Sequence, residues 1–232
     1  MNTNQILIKT LIKDGYLKSK RIIKAFEDVD RIHFVPEKSK SRAYVDEPLP
    51  IGFDQTISQP LVVAFMLELL DSQPGDRVLE IGAGSGWKTA LLAHIVSSNK
   101  SALDDGQEKG AGRRIGLGRV TAIERILQLH KRAVENVSKF NFIEGGIVTI
   151  IHGDGSRGYV QNAPFDKIIC GAAGSSVPIA WKEQVRVGGR IVMPIGDAIK
   201  VLDKKSPINF KIKEYSGFRF VPLIMDDGGN GG

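Results

Sequence analysis

The feature that most constrains this chain is an alternation of short apolar strands with helices, which begins after Pro74-Gly75-Asp76. Short apolar runs bounded by turn residues predict buried strands, and apolar residues at helical spacing predict the helices between them. The predicted strands are Arg77 to Ile81, Arg119 to Ile123, Ile147 to His152, Phe165 to Cys170 and Gly189 to Pro194. The predicted helices are Thr89 to Val96, Ile126 to Phe140 and Ile179 to Val185. This alternation indicates an α/β fold, a mostly parallel sheet with helices on both faces.

Two further strands are predicted near the end of the chain, at Asn209 to Tyr215 and Phe218 to Ile224. They bring the sheet to seven strands of a doubly wound, Rossmann-like type. Before the alternation, residues 4–35 predict a small helical region in which Ser19 is a candidate helix cap. A loop-rich stretch separates this region from a helix predicted over Gln59 to Asp71.

The domain organisation follows from the same pattern. The chain has 232 residues, 42% of them hydrophobic, which suits one sizeable core, so we expect a single domain over residues 1–225. Residues 1–58 are its N-terminal helical and substrate-side segment. Residues 97–118 are polar and glycine-rich and exceed an ordinary helix-to-strand connection, which predicts a flexible insertion. Residues 226–232 are predicted to be a disordered tail.

Charge and cysteine content exclude some classes of protein. The net charge of +6 is spread along the chain, and its densest cluster, Lys18 to Lys24, suits either a solvated helix face or an RNA-binding stripe. The single Cys170 cannot form an internal disulfide or a multi-cysteine metal site, and the four histidines show no metal-ligand spacing. No apolar run is long enough to span a bilayer. We therefore expect a cytoplasmic monomer with no metal, no membrane association and no stable nucleic-acid partner.

The strongest local signal is a glycine-rich turn that follows the first predicted strand of the alternation. Glycines let the backbone turn sharply and approach a ligand closely, and ligands bind at the carboxyl ends of strands in such sheets. The spacing is G-x-G-x-G, which differs from the usual dinucleotide pattern, and no P-loop lysine follows it. The predicted cofactor-binding residues of this segment are Glu80, Gly82, Ala83, Gly84, Ser85 and Gly86.

Two acidic residues end the next two strands. Glu124 can accept hydrogen bonds from both hydroxyls of a ribose. Asp154, which precedes Gly155, can accept from an adenine amino group, although a plain turn explains the same pair. A cationic sulfonium tolerates these acidic surroundings better than a pyrophosphate does. The three features together favour S-adenosylmethionine over a dinucleotide as the cofactor.

The segments outside the glycine turn carry a family resemblance. Residues 42–52, RAYVDEPLPIG, and 55–60, QTISQP, resemble the signature of protein-L-isoaspartate O-methyltransferases, which are class I S-adenosylmethionine-dependent methyltransferases. The resemblance continues in residues 75–82, 163–166, 188–196 and 217–223. Trp87 stands where the family commonly has tyrosine, and Phe53-Asp54 replaces a more usual pair before Gln55.

The resemblance implies a reaction. The enzyme would methylate the α-carboxylate of L-isoaspartyl residues in damaged proteins and peptides, which are its expected partners. Loss of methanol then gives a succinimide, and hydrolysis of that ring returns some normal aspartate. Because a carboxylate is already ionised at neutral pH, the reaction needs positioning rather than a general base.

Thr56 and Ser58 are the candidate catalytic residues, since their hydroxyls can donate to a substrate carboxylate just before a helix N-terminus. From the residues alone a capping role is the alternative, because Thr56-x-x-Gln59 is a capping-box pattern and Ser58 is a candidate cap. The resemblance matches Ser58 to the active-site serine of the family. It also implies substrate-binding roles for Ile57, Gln59, Val221 and Leu223.

Two other functions remain open from the sequence. One is an S-adenosylmethionine-dependent methyltransferase that acts on RNA or a small molecule. Against an amino-group methylase of nucleic acid, Cys170-Gly171-Ala172-Ala173 stands where an Asn/Asp-Pro-Pro-aromatic segment is expected. The other is a non-catalytic S-adenosylmethionine-binding protein. Methylation of an isoaspartyl peptide separates the three.

Overall fold

The computed structural model describes residues 3–97 and 118–224. The predicted insertion, except for its two end residues, and the predicted tail lie outside the described residues. The helices of the described part are α1 (Asn4–Lys13), α2 (Lys20–Asp28), α3 (Pro60–Leu70), α4 (Trp87–Ser97), α5 (Leu127–Ser138) and α6 (Ile179–Gln184). The strands are β1 (Leu49–Gly52), β2 (Gln55–Ile57), β3 (Arg77–Ile81), β4 (Arg119–Glu124), β5 (Val148–His152), β6 (Phe165–Cys170), β7 (Val185–Ile195), β8 (Ala198–Lys204) and β9 (Phe210–Ser216).

The strands β3 to β9 form one sheet in the order β5-β4-β3-β6-β7-β8-β9. The pairs among β3, β4, β5, β6 and β7 are parallel, and β8 and β9 continue the sheet in antiparallel pairing. The chain moves outward from β3 to β5 and then returns to β6 on the other side of β3. The predicted seven-stranded, mostly parallel, Rossmann-like fold is therefore confirmed, and its strand order reverses between β3 and β6, where such sheets bind ligands.

The two C-terminal strands differ from the prediction in part. Strand β9 matches Asn209 to Tyr215, but the predicted strand Phe218 to Ile224 is wrong, and β8 supplies the seventh strand instead. Pro222 has no amide hydrogen to donate, and among the described residues the backbone of this segment bonds only to Ala173 and, through the Phe218 amide, to Asp197. Strand β8 was missed because it follows β7 through a two-residue turn that begins with Gly196, whose φ is 61°.

The N-terminal helices pack against the sheet layer through α4. The rings of Phe26 and Trp87 meet edge to face with centroids 5.5 Å apart, and the indole Nε1 of Trp87 donates to the Val29 carbonyl at 3.2 Å. Ser19 occupies the N-cap position of α2, but its hydroxyl donates to Glu68 Oε2 at 2.6 Å, so the predicted capping bond is not made. Among the described helices, none combines the length and apolarity that crossing a membrane requires.

Candidate active site

The glycine-rich turn runs from the end of β3 to the start of α4. Three of its glycines have positive φ, namely Gly82 at 79°, Gly84 at 57° and Gly86 at 87°. A Cβ at Gly86 would lie 2.9 Å from Val137 Cγ2, so this glycine lets α5 pack closely against the turn. A Cβ at Gly82 would meet nothing within 4 Å, so this side of the turn is open to a ligand.

Glu124, at the end of β4, is joined directly to this turn. Its Oε2 accepts the Gly84 amide at 2.9 Å, and its Oε1 accepts the Ile126 amide at 2.9 Å. The residue is 5% exposed. An ionised carboxylate has about four lone-pair sites, so two amide bonds leave capacity for further donors. The structure thus brings together the two strongest sequence-predicted features of the cofactor site.

Asp154 and Gly155 lie at the same edge of the sheet, after β5. Asp154 accepts the Ser156 amide at 2.8 Å and the Ser156 hydroxyl at 2.7 Å, so it caps a short 3-10 turn. A Cβ at Gly155 would lie 2.6 Å from Ile81 Cγ2, at the end of β3. Asp154 thus stabilises a turn, as the plainer sequence interpretation predicts. Because it also lies at the ligand-binding edge of the sheet, the contact to adenine stays a prediction.

Glu80 and Lys88 form a buried pair beneath the turn, and sequence reasoning missed the lysine. Glu80 is 0% exposed, and Lys88 Nζ lies 3.6 Å from its Oε1. Burial raises the pKa of the Glu80 carboxyl, and the charge of Lys88 opposes that rise. Within residues 3–97 and 118–224, neither carboxylate oxygen receives a hydrogen bond of ordinary geometry, and Lys88 and Thr89 are the nearby donors that favour its ionised form. A buried carboxylate without a well-formed hydrogen bond at a ligand-binding strand end suits a cationic ligand group.

Thr56 and Ile57, two of the residues predicted to face the substrate, lie on a hairpin formed by β1 and β2. Its turn is made by Phe53 and Asp54, both with positive φ, at 56° and 55°. The hairpin lies beside the glycine turn, since a Cβ added at Gly84 would lie 3.6 Å from Ile51 Cδ1. Strand β2 carries Thr56, which is exposed, and Ile57, whose side chain is 3% exposed and packs in the main core.

Ser58 follows β2 directly and is half-buried. Its carbonyl accepts from Arg31 Nη2 at 3.1 Å, while its hydroxyl has no hydrogen-bond partner among the residues that the structure describes. The N-cap of α3 is Gln59, without a side-chain capping bond, so neither Thr56 nor Ser58 caps this helix. The capping alternative therefore fails for both hydroxyls.

Asp46 takes the place at the start of α3 that the serine and threonine were expected to fill. Its Oδ1 accepts the Leu61 amide at 2.8 Å, and its Oδ2 accepts from Gln59 Nε2 at 3.1 Å. A carboxylate at this position satisfies an otherwise unpaired amide of the first helical turn and complements the helix dipole. The predicted attraction of an anionic substrate to this helix end is correspondingly reduced.

Arg31 is the second residue that the sequence did not reveal, and it holds Ser58 in place. Its side chain is 0% exposed, and its guanidinium carbon lies 5.3 Å from the ring centroid of Trp87. Burial lowers the pKa of Arg31 to about 10, against the raising effect of Asp46 and Glu47, so the side chain stays charged at neutral pH. The guanidinium donates over 2.8–3.1 Å to four main-chain carbonyls, those of Ala43, Val45, Glu47 and Ser58.

Val221 and Leu223 lie beside the end of β6. The Val221 carbonyl accepts the Ala173 amide at 2.8 Å, and the Leu223 amide donates to the Ala173 carbonyl at 2.7 Å. Both side chains are half-buried. The structure therefore brings this segment, the glycine turn, Glu124 and Asp154 to the same edge of the sheet. Over the ranges described, no cluster of three or more His, Cys, Asp or Glu side chains is arranged to hold a metal ion.

Comparison with known proteins gives consistent matches along the chain. The sequence profile of the protein-L-isoaspartate(D-aspartate) O-methyltransferase family matches residues 2–228. A relative from Methanopyrus kandleri, named protein-L-isoaspartate O-methyltransferase, is 38% identical over 226 residues, which cover 96% of this chain and 91% of the relative. One of the same name from Ignicoccus hospitalis is 41% identical over 225 residues, covering 95% of this chain and 97% of the relative.

Solved structures show the same fold. A protein-L-isoaspartate O-methyltransferase structure superposes with a TM-score of 0.78 at 27% identity, covering 98% of this chain and 67% of that one. A second, from Plasmodium falciparum in complex with S-adenosyl-L-homocysteine, gives a TM-score of 0.80 at 22% identity, covering 97% of this chain and all of that one. At that lower identity the likeness concerns the fold alone.

Proposed function

The chain belongs to the protein-L-isoaspartate O-methyltransferase family, and from that premise we propose how its own residues carry the reaction. It is an S-adenosylmethionine-dependent methyltransferase of protein repair, and it acts on the α-carboxylate of L-isoaspartyl residues in damaged proteins. The roles of individual residues below are proposals. The cytoplasmic location, the monomeric state and the lack of a nucleic-acid partner stay predictions.

The residues at the sheet edge fit S-adenosylmethionine. The glycine turn offers an open face at Gly82, Glu124 has unused acceptor capacity, and Glu80 is a buried carboxylate whose lysine partner lies 3.6 Å away. In this proposal Glu124 accepts from the ribose hydroxyls, Asp154 accepts from the adenine amino group, and Glu80 faces the cofactor ammonium. When bound, the cofactor supplies an electrophilic methyl group on a positively charged sulfur.

Ser58 is the proposed contact to the substrate carboxylate. Because that carboxylate is the nucleophile and needs no deprotonation, the protein has to hold one oxygen in line with the methyl–sulfur bond. The Ser58 hydroxyl donates to the other oxygen and limits rotation of the group, with Thr56 as a second donor. Arg31 is a positioning residue, since it fixes the Ser58 carbonyl and so the direction of the side chain.

The remaining substrate residues contribute in different ways. Val221 and Leu223 are half-buried at the end of β6 and are proposed to pack against the polypeptide. The Ile57 side chain is committed to the core, so its part is limited to its main chain. Gln59 donates to Asp46 and is proposed to shape the floor of the site.

The observation that carries this proposal is the Ser58 hydroxyl, which has no partner among the described residues while its backbone is anchored by a buried arginine. The test is transfer of labelled methyl from S-adenosylmethionine to a synthetic isoaspartyl peptide, with its aspartyl twin as control. We expect Ser58→Ala to lower turnover by roughly 10- to 150-fold, the loss of about 1.5–3 kcal/mol that a hydrogen bond to a charged group contributes. Cofactor affinity should stay unchanged in calorimetry.

Ser206→Ala is the matched control, because Ser206 is also half-buried but lies in the β8–β9 turn at the opposite edge of the sheet. If Ser58→Ala and Ser206→Ala retain the same turnover, the proposed role of Ser58 is wrong. Methylation of bulk RNA in place of the peptide supports the first alternative function. Cofactor binding without any transfer supports the second.

A further inference from the structure

A second concave surface lies outside the site described above. It is a cleft of about 610 Å³ between helix α5 and the 3-10 segment that begins with Arg31–Phe34. Helix α5 and the residue after it contribute Arg132, Asn136 and Lys139, whose spacing of four and three positions puts them on one helix face. The facing wall consists of Ile32, His33, Phe34, Val35, Pro36, Glu37 and Lys40.

The charges on this cleft are mostly positive. Lys40, Arg132 and Lys139 all line it, and Glu37, the one acid of its lining, pairs with Lys40 at 2.7 Å. The other two cations have neutral partners. Arg132 donates to the Ile51 carbonyl, and Lys139 Nζ donates to Asn136 Oδ1 at 2.8 Å and to the His33 carbonyl at 3.4 Å. Across the described ranges, neither makes a salt bridge, so both have N–H groups available to an anion.

The cleft shares structural elements with the active site. Asn136, which is 7% exposed, donates from Nδ2 to the Ser85 carbonyl of the glycine turn at 2.9 Å. Arg132 holds the hairpin that leads to Ser58. One 3-10 turn serves both sites, because Arg31 donates to Ser58 while His33 and Phe34 line the cleft. The cleft and the segment of Ser58 are therefore joined by one hairpin and one 3-10 turn.

We propose that this cleft binds acidic side chains of the polypeptide substrate, at positions removed along the chain from the isoaspartyl residue. The inference rests on the proposed function and adds a substrate preference to it. Lys139, Arg132 and Lys40 donate charge-assisted hydrogen bonds to the carboxylates, and the half-buried Ile32 and Pro36 offer an apolar surface to the aliphatic part of the side chains. A cleft with cations on two walls fits a chain of acidic residues better than one compact anion.

The experiment uses two matched series of isoaspartyl peptides. In one series a pair of Glu residues is moved to successive positions on either side of the isoaspartyl residue, and in the other series the same positions carry Gln. For the full-length enzyme we expect the best Glu peptide to have a KM lower than its Gln twin by about 3- to 10-fold, the size of two or three partly exposed ion pairs. The kcat should match, and added salt should reduce the difference.

The variant Lys40→Gln/Lys139→Gln should lose this preference and leave the KM of the Gln peptides unchanged. Fluorescence anisotropy of labelled peptides, without cofactor, should show the same loss in binding. The control is Lys131→Gln, an exposed neighbour on α5 that does not line the cleft, and it should keep the preference. The two single variants replace the double variant if its melting curve shows that it does not fold.

Two outcomes overturn the inference: no Glu peptide binds better than its Gln twin, or the lysine variants keep the full preference. Failure of the proposed function looks different. In that case the wild-type enzyme methylates neither series, whereas failure of the cleft alone leaves the Gln peptides as normal substrates.

Discussion

The sheet edge that we propose binds the cofactor and the hairpin that we propose binds the substrate hold their key side chains by different means. Glu124 is fixed by two backbone amides, one in the adjacent glycine turn and one two residues further along the chain. Ser58 is fixed through its carbonyl by the side chain of Arg31, 27 positions away in the sequence. The first arrangement follows from sheet topology and the second from a single buried ion. We therefore expect substitutions to act locally at the edge and more broadly at the hairpin.

The largest effect should come from Arg31→Met. Loss of the guanidinium leaves four carbonyls without their donor, and we expect the free energy of unfolding to fall by about 3–5 kcal/mol. Urea denaturation measures it. Arg31→Lys keeps the charge but not the planar fork and should recover only part of the loss. Arg21→Met is the control, because Arg21 is partly exposed and donates to a single main-chain carbonyl, that of Ser72. An equal loss of unfolding free energy in Arg31→Met and Arg21→Met would contradict the idea that the hairpin depends on one buried arginine.

Gly86→Ala should have the next largest effect. The added Cβ meets Val137 and the Ala133 carbonyl in a positive-φ backbone, so stability should fall by about 2–3 kcal/mol. Gly82→Ala is the matched control, since its φ is also positive but its Cβ meets no atom within 4 Å. It should cost about 1 kcal/mol of stability and weaken cofactor binding more than its effect on stability implies. Thermal melting measures the two stability losses, and calorimetric titration with S-adenosylhomocysteine measures cofactor affinity. A larger stability loss for Gly82→Ala than for Gly86→Ala would contradict the view that Gly86 is the tightly packed glycine and Gly82 the open one.

Glu124→Ala should weaken cofactor binding, and it should also lower stability because the Gly84 and Ile126 amides lose their acceptor. We expect the affinity for S-adenosylhomocysteine to fall by about 1.5–3 kcal/mol, because the ribose loses its acceptor. Glu124→Gln retains one carbonyl oxygen and should lose less. Isothermal calorimetry on folded variants gives the value. An unchanged affinity would remove Glu124 from the cofactor site.

The smallest effect is expected at Asp46. Asp46→Ala removes the acceptor for the Leu61 amide and the Gln59 side chain, and stability should fall by about 1 kcal/mol, as for other lost helix caps. Asp46→Asn keeps an acceptor and should lose less. Thermal melting resolves the difference. A loss as large as that of Arg31→Met would mean that the carboxylate, and not the arginine, fixes the segment around Ser58.

The same contrast explains what the sequence could predict. The glycine turn, Glu124 and Asp154 each end a strand, and the order of strands along the chain is enough to bring strand ends together. Arg31 and Asp46 act through contacts between distant segments, which no local pattern encodes. An arginine is usually exposed, so nothing around Arg31 distinguishes it as buried. Lys88 was missed for the same reason.

The wrong strand has a physical cause of its own. The apolar residues of the segment from Phe218 to Leu223 resemble a strand face, but Phe218 stacks on Phe65 of α3 with ring centroids 5.3 Å apart. Its apolar character serves packing between side chains rather than a backbone ladder. Apolar composition and spacing indicate burial for a strand and for a segment that packs only through its side chains. They do not indicate which groups the backbone bonds to.

Trp87 belongs to both regions. It begins α4 directly after the glycine turn, and its ring lies beside the guanidinium of Arg31. Thermodynamic reciprocity then applies: any free energy that cofactor binding transmits through this ring to the seating of Ser58 must equal what polypeptide binding transmits back to the cofactor. Couplings between sites typically amount to about 1–3 kcal/mol. Cofactor affinity measured with and without bound peptide, in the wild type and in a Trp87 variant, would therefore show how strongly one ligand prepares the protein for the other.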